Sequence, residues 1–452
     1  MMMTTVYGTT IEAEVTRSSY GEEIDAIINT IMDKYLDRDE LTEEQLYEAA
    51  LKGIFDELDT YSRYIPGSDS VEFTNGLNNT YVGIGVQMTI EGNDIIITRV
   101  FFNGPAEGAG VLVHDKIIGV EGQSVIGFTT QEVAKLILGD VDTDVTITFD
   151  RGGYVFDTTI TRATVVINAV DQMDIKTIAP DMDESTASKI GYIKIESFTD
   201  RVDRELKPIL KSFEEEGKTH LLLDLRDNGG GYVDSAVAVC DLLVPEGPVL
   251  RFINNEGREI VYMSDNSDPA FEIVALINGN SASATEFVAA AIQETGIGKL
   301  VGETTFGKGV AQYIYELDDG AIVKLTQEAF YSGNNVAIHG IGVSPDIEVS
   351  IPAYLTKQDK FHQGFSYDEV LQLEEILLYL GYTVDSPDRV YDQVTVEAVK
   401  LFQSDMGLYP YGIADFTTQD RLNQALIEGV RANDLQLEAG IETLLEMIND
   451  GE

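Results

Sequence analysis

The alternation of apolar and polar positions divides the chain into five stretches. In residues 20–64, apolar residues recur at helical spacing in YGEEIDAIINTIMDKYL and again in LTEEQLYEAALKGIFDEL, so two amphipathic helices are expected. Thr42 and Gln45 open the second with a capping-box pattern, and Pro66 stops the stretch after LDTYSRYI. From 80 to 165 the pattern shifts to short β-rich runs, YVGIGVQMTI, NDIIITRVF, DKIIGVEG and DVTITFDRG, broken by Gly, Asn and Asp turns. GPAEGAG and TTQEVAKLIL read as two short helices among them. Residues 166–355 alternate strand and helix: KIGYIKIESF, DRELKPILKSFEEEG, HLLLDLRD, a helix after GGGYVDSA, FEIVALIN, a helix after Ser283, and KLVGETTF. That rhythm predicts an α/β layer. VAQYIYEL and AIVKLTQEAFY flank an Asp-Gly turn and predict a hairpin. Residues 365–430 carry three amphipathic helices, preceded by a linker-like stretch from Pro352 through TKQDKFHQG, and 431–452 forms one more helix. The expected units are therefore 1–79, 80–165, 166–355, 365–430 and 431–452.

Composition narrows what this framework can do. The chain has 452 residues and is 44% hydrophobic, enough for several full-sized cores. It carries 30 Lys+Arg against 78 Asp+Glu, a formal net charge of −48. Nucleic acid is excluded as a partner, because phosphate contacts need clustered cations. The single cysteine, Cys240, permits no intrachain disulfide and sits in the apolar run AVAVCDLLV as a small hydrophobe. Four histidines and one cysteine form no visible metal-binding pattern, and no metal or cofactor is expected. MMMTTVYGTTIEAEV lacks the basic and apolar regions of a secretion signal, and no run of 18 apolar residues occurs.

Three segments of the α/β part hold candidate chemistry. In Leu223-Asp224-Leu225-Arg226-Asp227-Asn228-Gly229-Gly230-Gly231 a strand ends in a glycine triplet, which is either a flexible turn or a backbone N–H cradle for an oxyanion. In NGNSASATEF, Ser283 stands between a strand and a helix. Ser283 and Glu286 form an S-x-x-E capping box, and Ser283 is also placed for nucleophilic attack with the Ala284 N–H facing the same space. In Thr304-Thr305-Phe306-Gly307-Lys308-Gly309-Val310-Ala311-Gln312, Lys308 and Gln312 share a face. None of the histidines sits in a motif beside a candidate serine, although His339 is near in sequence to this segment. A lysine can replace histidine as base when burial lowers its pKa, and Phe306 and Val310 flank Lys308.

Together these segments resemble the C-terminal processing peptidases (tail-specific proteases, family S41). Their core pattern is similar to D-L-R-x-N-x-G-G, S-A-S-A-S-E, G-x-x-T-F-G-K-G-x-x-Q and H-G-x-G-I-x-P-D, which here read DLRDNGGG, SASATE, GETTFGKGVAQ and HGIGVSPD. The resemblance implies a multidomain α+β chain. It would have a crotonase/ClpP-like α/β protease core with an inserted PDZ domain, a helical N-terminal region and a small three-helix C-terminal domain. In the family the middle serine of SASAS lies 25 positions before the lysine, so Ser283 inherits the nucleophile, Lys308 the base and Gln312 its partner. Ala284 and Gly230, with Gly229 as the alternative, would form the oxyanion hole. In the PDZ part, Tyr81, Val82, Gly83, Ile84 and Gly85 would capture a substrate C-terminus. Two departures stand out. Thr285 replaces the third serine, and Leu138-Gly139 stands where the family often has Arg-Gly. If that arginine signals substrate binding, this chain must couple its PDZ domain in another way. Residues 365–430 are similar to peptidoglycan-binding domains, through LGYTVD, VTVEAVKLFQSDMGL and GIADFTT. Their D-G-x-F-G loop is altered to Asp388-Arg389-Val390-Tyr391-Asp392.

The resemblance implies a serine endopeptidase with a Ser-Lys dyad, working outside the cytoplasm on protein or peptide C-termini. Peptidoglycan and a second copy of the chain are further partners to consider. Two other readings compete. One is a catalytically silent PDZ and wall-binding adaptor, against which the intact Ser-Lys-Gln set speaks. The other is acyl-CoA chemistry on the same fold, against which the Ser-Lys pair and the PDZ domain speak.

Overall fold

The structure, a computed structural model, describes residues 19–101, 104–356 and 359–450. The segment read for a secretion signal lies outside the described residues. Two amphipathic helices, Ser19–Lys34 and Glu43–Phe55, open the described chain. Thr42 caps the second as expected: its hydroxyl accepts the Gln45 N–H, and the Gln45 side chain accepts the Thr42 N–H. The helical reading fails just before Pro66. Arg63–Ile65 is a strand, paired antiparallel with the far-off strand Ile322–Ser332. A third helix, Gly67–Leu77, follows the proline.

Residues 80–166 form a β-unit. The strands Val86–Glu91, Asp94–Val100, Lys116–Val120, Asp144–Arg151 and Tyr154–Thr161 make an antiparallel sheet in that order, with Gln123–Ser124 on its margin. The helices Pro105–Gly108 and Thr130–Ile137 complete the unit around Ile84, Ile97, Val133, Ile147 and Phe149. YVGIGVQMTI is not one strand. Thr80–Gly83 pairs with Ala163–Val166 to tether the unit, and Gly85, at φ 81°, turns the chain into Val86–Glu91.

The α/β part is built on a six-stranded sheet. Its order is Val170–Met173, Ile190–Ile195, His220–Asp224, Glu272–Ile277, Gly298–Gly302 and Ile347–Glu348, parallel except at the first strand. The inner strands are mostly apolar and buried, as a sheet covered on both faces requires, while the edge strands VDQM and IE are not. One face packs on Val202–Glu215, Val233–Leu243 and Ala284–Thr295. Beyond them lies a second, antiparallel sheet of Arg63–Ile65, Val310–Glu316, Ile322–Ser332, Gly247–Asn254 and Glu259–Ser264. The Asp-Gly hairpin forms as expected, closed by the Leu317 N–H to Ala321 carbonyl bond.

The other face is covered by the last helix, Leu435–Asp450, through Leu444 and Ile448. Gly440 lets it lie close, because a Cβ there would stand 2.6 Å from Leu276. The tail is thus a layer of the α/β part. Between core and tail sits a three-helix unit, Asp368–Tyr379, Gln393–Asp405 and Phe416–Ala432. The linker reading fails here: Leu355 and Phe361 are buried in this unit's core, and Phe361 bridges to Ala414. The altered Asp388–Asp392 loop is integrated too. Tyr391 is fully buried with its hydroxyl on the Gly412 carbonyl, and Asp392 caps the next helix.

Candidate active site

The site is assembled where three core segments meet at the C-terminal ends of the parallel strands. Asn228, fully buried, ties the glycine segment to the serine segment and to the strand Ile190–Ile195. Its Nδ2 donates to the Ile195 carbonyl, and its own carbonyl accepts the Ala282 N–H and the Thr285 hydroxyl. Thr285, one departure from the family pattern, therefore holds the glycine loop to the serine loop. Ser281 adds a second tie, donating from its hydroxyl to the Leu225 carbonyl at 2.8 Å.

Ser283 precedes the helix Ala284–Thr295 with φ 60° and ψ −118°, a conformation that side-chain-bearing residues rarely adopt. In the expected capping box with Glu286, the Ser283 N–H donates to Glu286 Oε2 at 2.7 Å. Glu286 does far more than cap. It is fully buried, and the same Oε2 accepts the Lys308 N–H at 2.7 Å. Its Oε1 accepts the Thr305 hydroxyl at 2.6 Å and the Gly307 N–H at 2.7 Å. One carboxylate thus joins the backbones of the serine and lysine segments.

Gly230 approaches so closely that a Cβ there would lie 2.9 Å from the Ser283 Cβ and 3.0 Å from the Ala284 nitrogen. The expected oxyanion role of its N–H is not available in this conformation, since that N–H donates to Asn228 Oδ1 at 2.9 Å. Ala284 is placed as expected, in the first turn of its helix with its N–H beside Ser283.

Lys308 is half-buried, and burial lowers its pKa, opposed by the charges of Glu286 and Asp59. Of its flanking residues, Phe306 is 57% exposed and Val310 is partly buried. Its ammonium lies 5.1 Å from the centre of the Tyr61 ring. Among the described residues no hydrogen bond joins Lys308 to Ser283. Gly309 is required because a Cβ would stand 2.5 Å from the His339 nitrogen, and His339 Nδ1 accepts the Gly309 N–H at 3.3 Å. His339 therefore supports the lysine loop and does not touch the serine. Gln312 donates from Nε2 to the Val310 carbonyl and to Thr326 Oγ1, each at 3.2 Å.

Several site residues had no signal in the core motifs. Asp59, Tyr61 and Ser62 come from LDTYSRYIP, and Thr326 and Lys324 from the hairpin. Burial, with the charges of Lys308 and Arg63, lowers Lys324 to about 8. On the same hairpin, Ile314 and Ile322 line a cleft of about 310 Å³ with Phe73 and Leu77. Ile314 shares a strand face with Gln312, two residues before it.

In the β-unit, Tyr81, Val82 and Gly83 lie in the tether strand, and Ile84 is buried in the core. The carbonyls of Ile84 and Gly85 accept the Ala106 and Phe101 N–H groups. Burial pushes the Tyr81 hydroxyl up to about 12, opposed by the backbone N–H groups of Val86 and Gly85 beside it. Val86–Glu91 pairs on one side only, leaving an edge for strand addition. Leu138, the second departure, is exposed, while Gly139 packs against the buried Arg162. Asn78, just before this unit, accepts the Tyr232 hydroxyl at 3.1 Å and the Arg201 guanidinium at 2.8 Å. Tyr232 immediately follows the glycine triplet. No group of three or more His, Cys, Asp or Glu residues suited to a metal ion occurs among the described residues, and no described helix is long and apolar enough to cross a membrane.

Comparison with known proteins adds to this geometry. The model of peptidase family S41 matches residues 189–349, and that of the PDZ domain matches residues 82–161. A model described as "Putative peptidoglycan binding domain" matches residues 366–422. The chain is 32% identical over 411 residues to the carboxy-terminal processing protease CtpA of Bacillus subtilis, covering 89% of this chain and 86% of that one. A Staphylococcus epidermidis protein named "Probable CtpA-like serine protease" is 29% identical over 426 residues, covering 92% of this chain and 84% of that one. Among solved structures, the photosystem II D1 C-terminal processing protease aligns over 82% of this chain and all of its own, at 26% identity and a TM-score of 0.44.

Proposed function

Because the chain belongs to the carboxy-terminal processing proteases of peptidase family S41, and is thus a serine-type peptidase, we propose that Ser283, Lys308 and Gln312 carry its chemistry. The observation that carries this reading is the Glu286 carboxylate, which receives the N–H groups of both Ser283 and Lys308. Neutral Lys308 takes the Ser283 hydroxyl proton as Oγ attacks the scissile carbonyl carbon. The lysine must first swing from the Tyr61 ring toward the serine. The oxyanion is held by the Ala284 N–H and, with the Gly230 N–H given to Asn228, by the Gly229 N–H. Lys308 returns the proton to the leaving amine as the C–N bond breaks, leaving an acyl-serine. Lys308 then accepts a proton from the water that attacks the acyl-serine, and returns it to Ser283 Oγ as the ester opens.

The PDZ domain is the proposed gate. Its free strand edge, and the turn at Gly85 that leads into it from Tyr81–Ile84, suit an extended peptide ending in a carboxylate. Asn78, bonded to Tyr232, offers a route from this domain to the glycine triplet and replaces the arginine signal that Leu138 cannot give. A peptidoglycan-binding unit meets its ligand outside the cytoplasm, so an extracytoplasmic, wall-associated site of action is part of the proposal.

The test is product mapping by mass spectrometry on an unstructured protein, with its C-terminus either free or amidated. Wild type is expected to cleave near the free C-terminus and more slowly when it is amidated. Ser283→Ala and Lys308→Ala are expected to fold and not cleave. Cleavage by either variant at the wild-type rate contradicts the dyad, and equal rates on the two substrates contradict the gate.

A further inference from the structure

Gln312 can serve Lys308 only if its carboxamide is held the right way round. Its two ends are alike in shape and opposite in polarity, so a neighbouring network must choose between them. That network begins 267 residues from Thr326 in sequence, in the turn that precedes the strand Arg63–Ile65. Asp59 Oδ1 accepts the Tyr61 N–H at 2.8 Å, the Ser62 N–H at 3.1 Å and the Thr326 hydroxyl at 3.0 Å. Its Oδ2 accepts the Ser62 hydroxyl at 2.7 Å, and Ser62 Oγ accepts the Thr326 N–H at 2.9 Å. An ionised carboxylate can only accept. The Thr326 hydroxyl must therefore donate to Asp59, and its remaining lone pairs face Gln312 Nε2 at 3.2 Å. With the second Nε2 hydrogen on the Val310 carbonyl, Oε1 is left as the acceptor for the lysine.

We propose that the Asp59–Ser62 turn is a positioning element of the active site: Asp59 fixes Gln312 through Thr326, and Tyr61 covers the Lys308 ammonium. The proposal rests on the Ser283–Lys308 reading. Some desolvation raises the exposed Asp59 carboxyl, but hydrogen bonds from Ser62, Tyr61 and Thr326 hold it below the usual carboxylate range, so it stays an acceptor at neutral pH. If Asp59 became neutral, the Thr326 hydroxyl would be free to donate to Gln312 Oε1 instead. The amide would turn, and its NH2 would then face the lysine.

The charges around Lys308 give this role a signature that simple packing lacks. Burial disfavours its ammonium form, and Glu286 and Asp59 favour it; the nearby Lys324 is lowered by its own burial and by the charges of Lys308 and Arg63. Removing the Asp59 charge lowers the Lys308 pKa further. The acid limb of the rate profile should then move to lower pH, modestly, because Asp59 is exposed and screened.

The experiment compares wild type, Ser283→Ala, Thr326→Val, Thr326→Ser and Asp59→Asn on one peptide, with kcat, KM, pH profile and melting temperature. Thr326→Val and Asp59→Asn should lose about tenfold or more in kcat with KM and melting nearly unchanged. Thr326→Ser should keep wild-type kcat, and Asp59→Asn should shift the acid limb downward. Wild-type kcat in Thr326→Val, an equal loss in Thr326→Ser, or an unmoved limb in Asp59→Asn overturns the positioning role. Should Ser283→Ala cleave as wild type does, the underlying reading fails and this proposal with it.

Discussion

Glu286 is the residue on which the site's geometry most depends. It lies wholly out of water and satisfies four donors: the N–H groups of Ser283, Gly307 and Lys308, and the Thr305 hydroxyl. All four need an acceptor, and glutamine supplies one oxygen where glutamate supplies two. Glu286→Gln should therefore strand two buried donors against an NH2 group, costing about 2–4 kcal/mol of unfolding free energy. Its kcat should fall more than KM rises, since the serine and lysine lose their common anchor. Denaturant titration and steady-state kinetics check this, and a variant with native stability and turnover would contradict it. Much of this centre was legible as motif spacing, because local motifs carry the serine, lysine and glutamine. Glu286 was visible only as a helix cap, since its other partners lie 19 to 22 residues on, across the fold. Asp59 was not legible at all, because only the folded hairpin brings Thr326 to it.

At the scale of elements, the last helix acts on the site from behind. Asp434 caps it, accepting the Leu437 N–H at 3.0 Å, and also pairs with Arg226 at 2.7 Å. Arg226 in turn grips the buried Asp224 with two nitrogens, just upstream of the glycine triplet. Asp434→Ala breaks both the cap and the ion pair and leaves a largely buried guanidinium short of a partner. The expected loss is about 1–3 kcal/mol in stability, with a lower kcat, because the strand end that sets the triplet is loosened. Unchanged melting and turnover would show the helix to be a passive cover. Periodicity marked this helix but not where it docks, for an amphipathic stripe does not name its partner. The same limit explains Arg63–Ile65: three residues are too few to show alternation, and the partner strand selects their conformation. Leu355 and Phe361 sit in a polar stretch, so their burial escaped a composition-based linker reading.

For the whole molecule, the α/β core is completed by segments on either side of the appended domains. The turn Asp59–Ser62 comes before the PDZ domain, and the Asp434 helix follows the peptidoglycan-binding unit. Each appended domain is thus inserted between pieces of one core. Against the overall acidity, Lys308 and Arg63 are both close enough to Lys324 to lower it. The central claim is that Ser283 is a nucleophile activated by a buried lysine. Its most direct test is the rate at which a fluorophosphonate labels Ser283, followed by peptide mapping from pH 5 to pH 10 in wild type and Lys308→Ala. The lysine's lowered pKa predicts labelling at Ser283 that rises with pH, reaches its plateau below the usual lysine range, and is lost in the variant. Labelling that is flat with pH, falls on another residue, or persists unchanged in Lys308→Ala would contradict it.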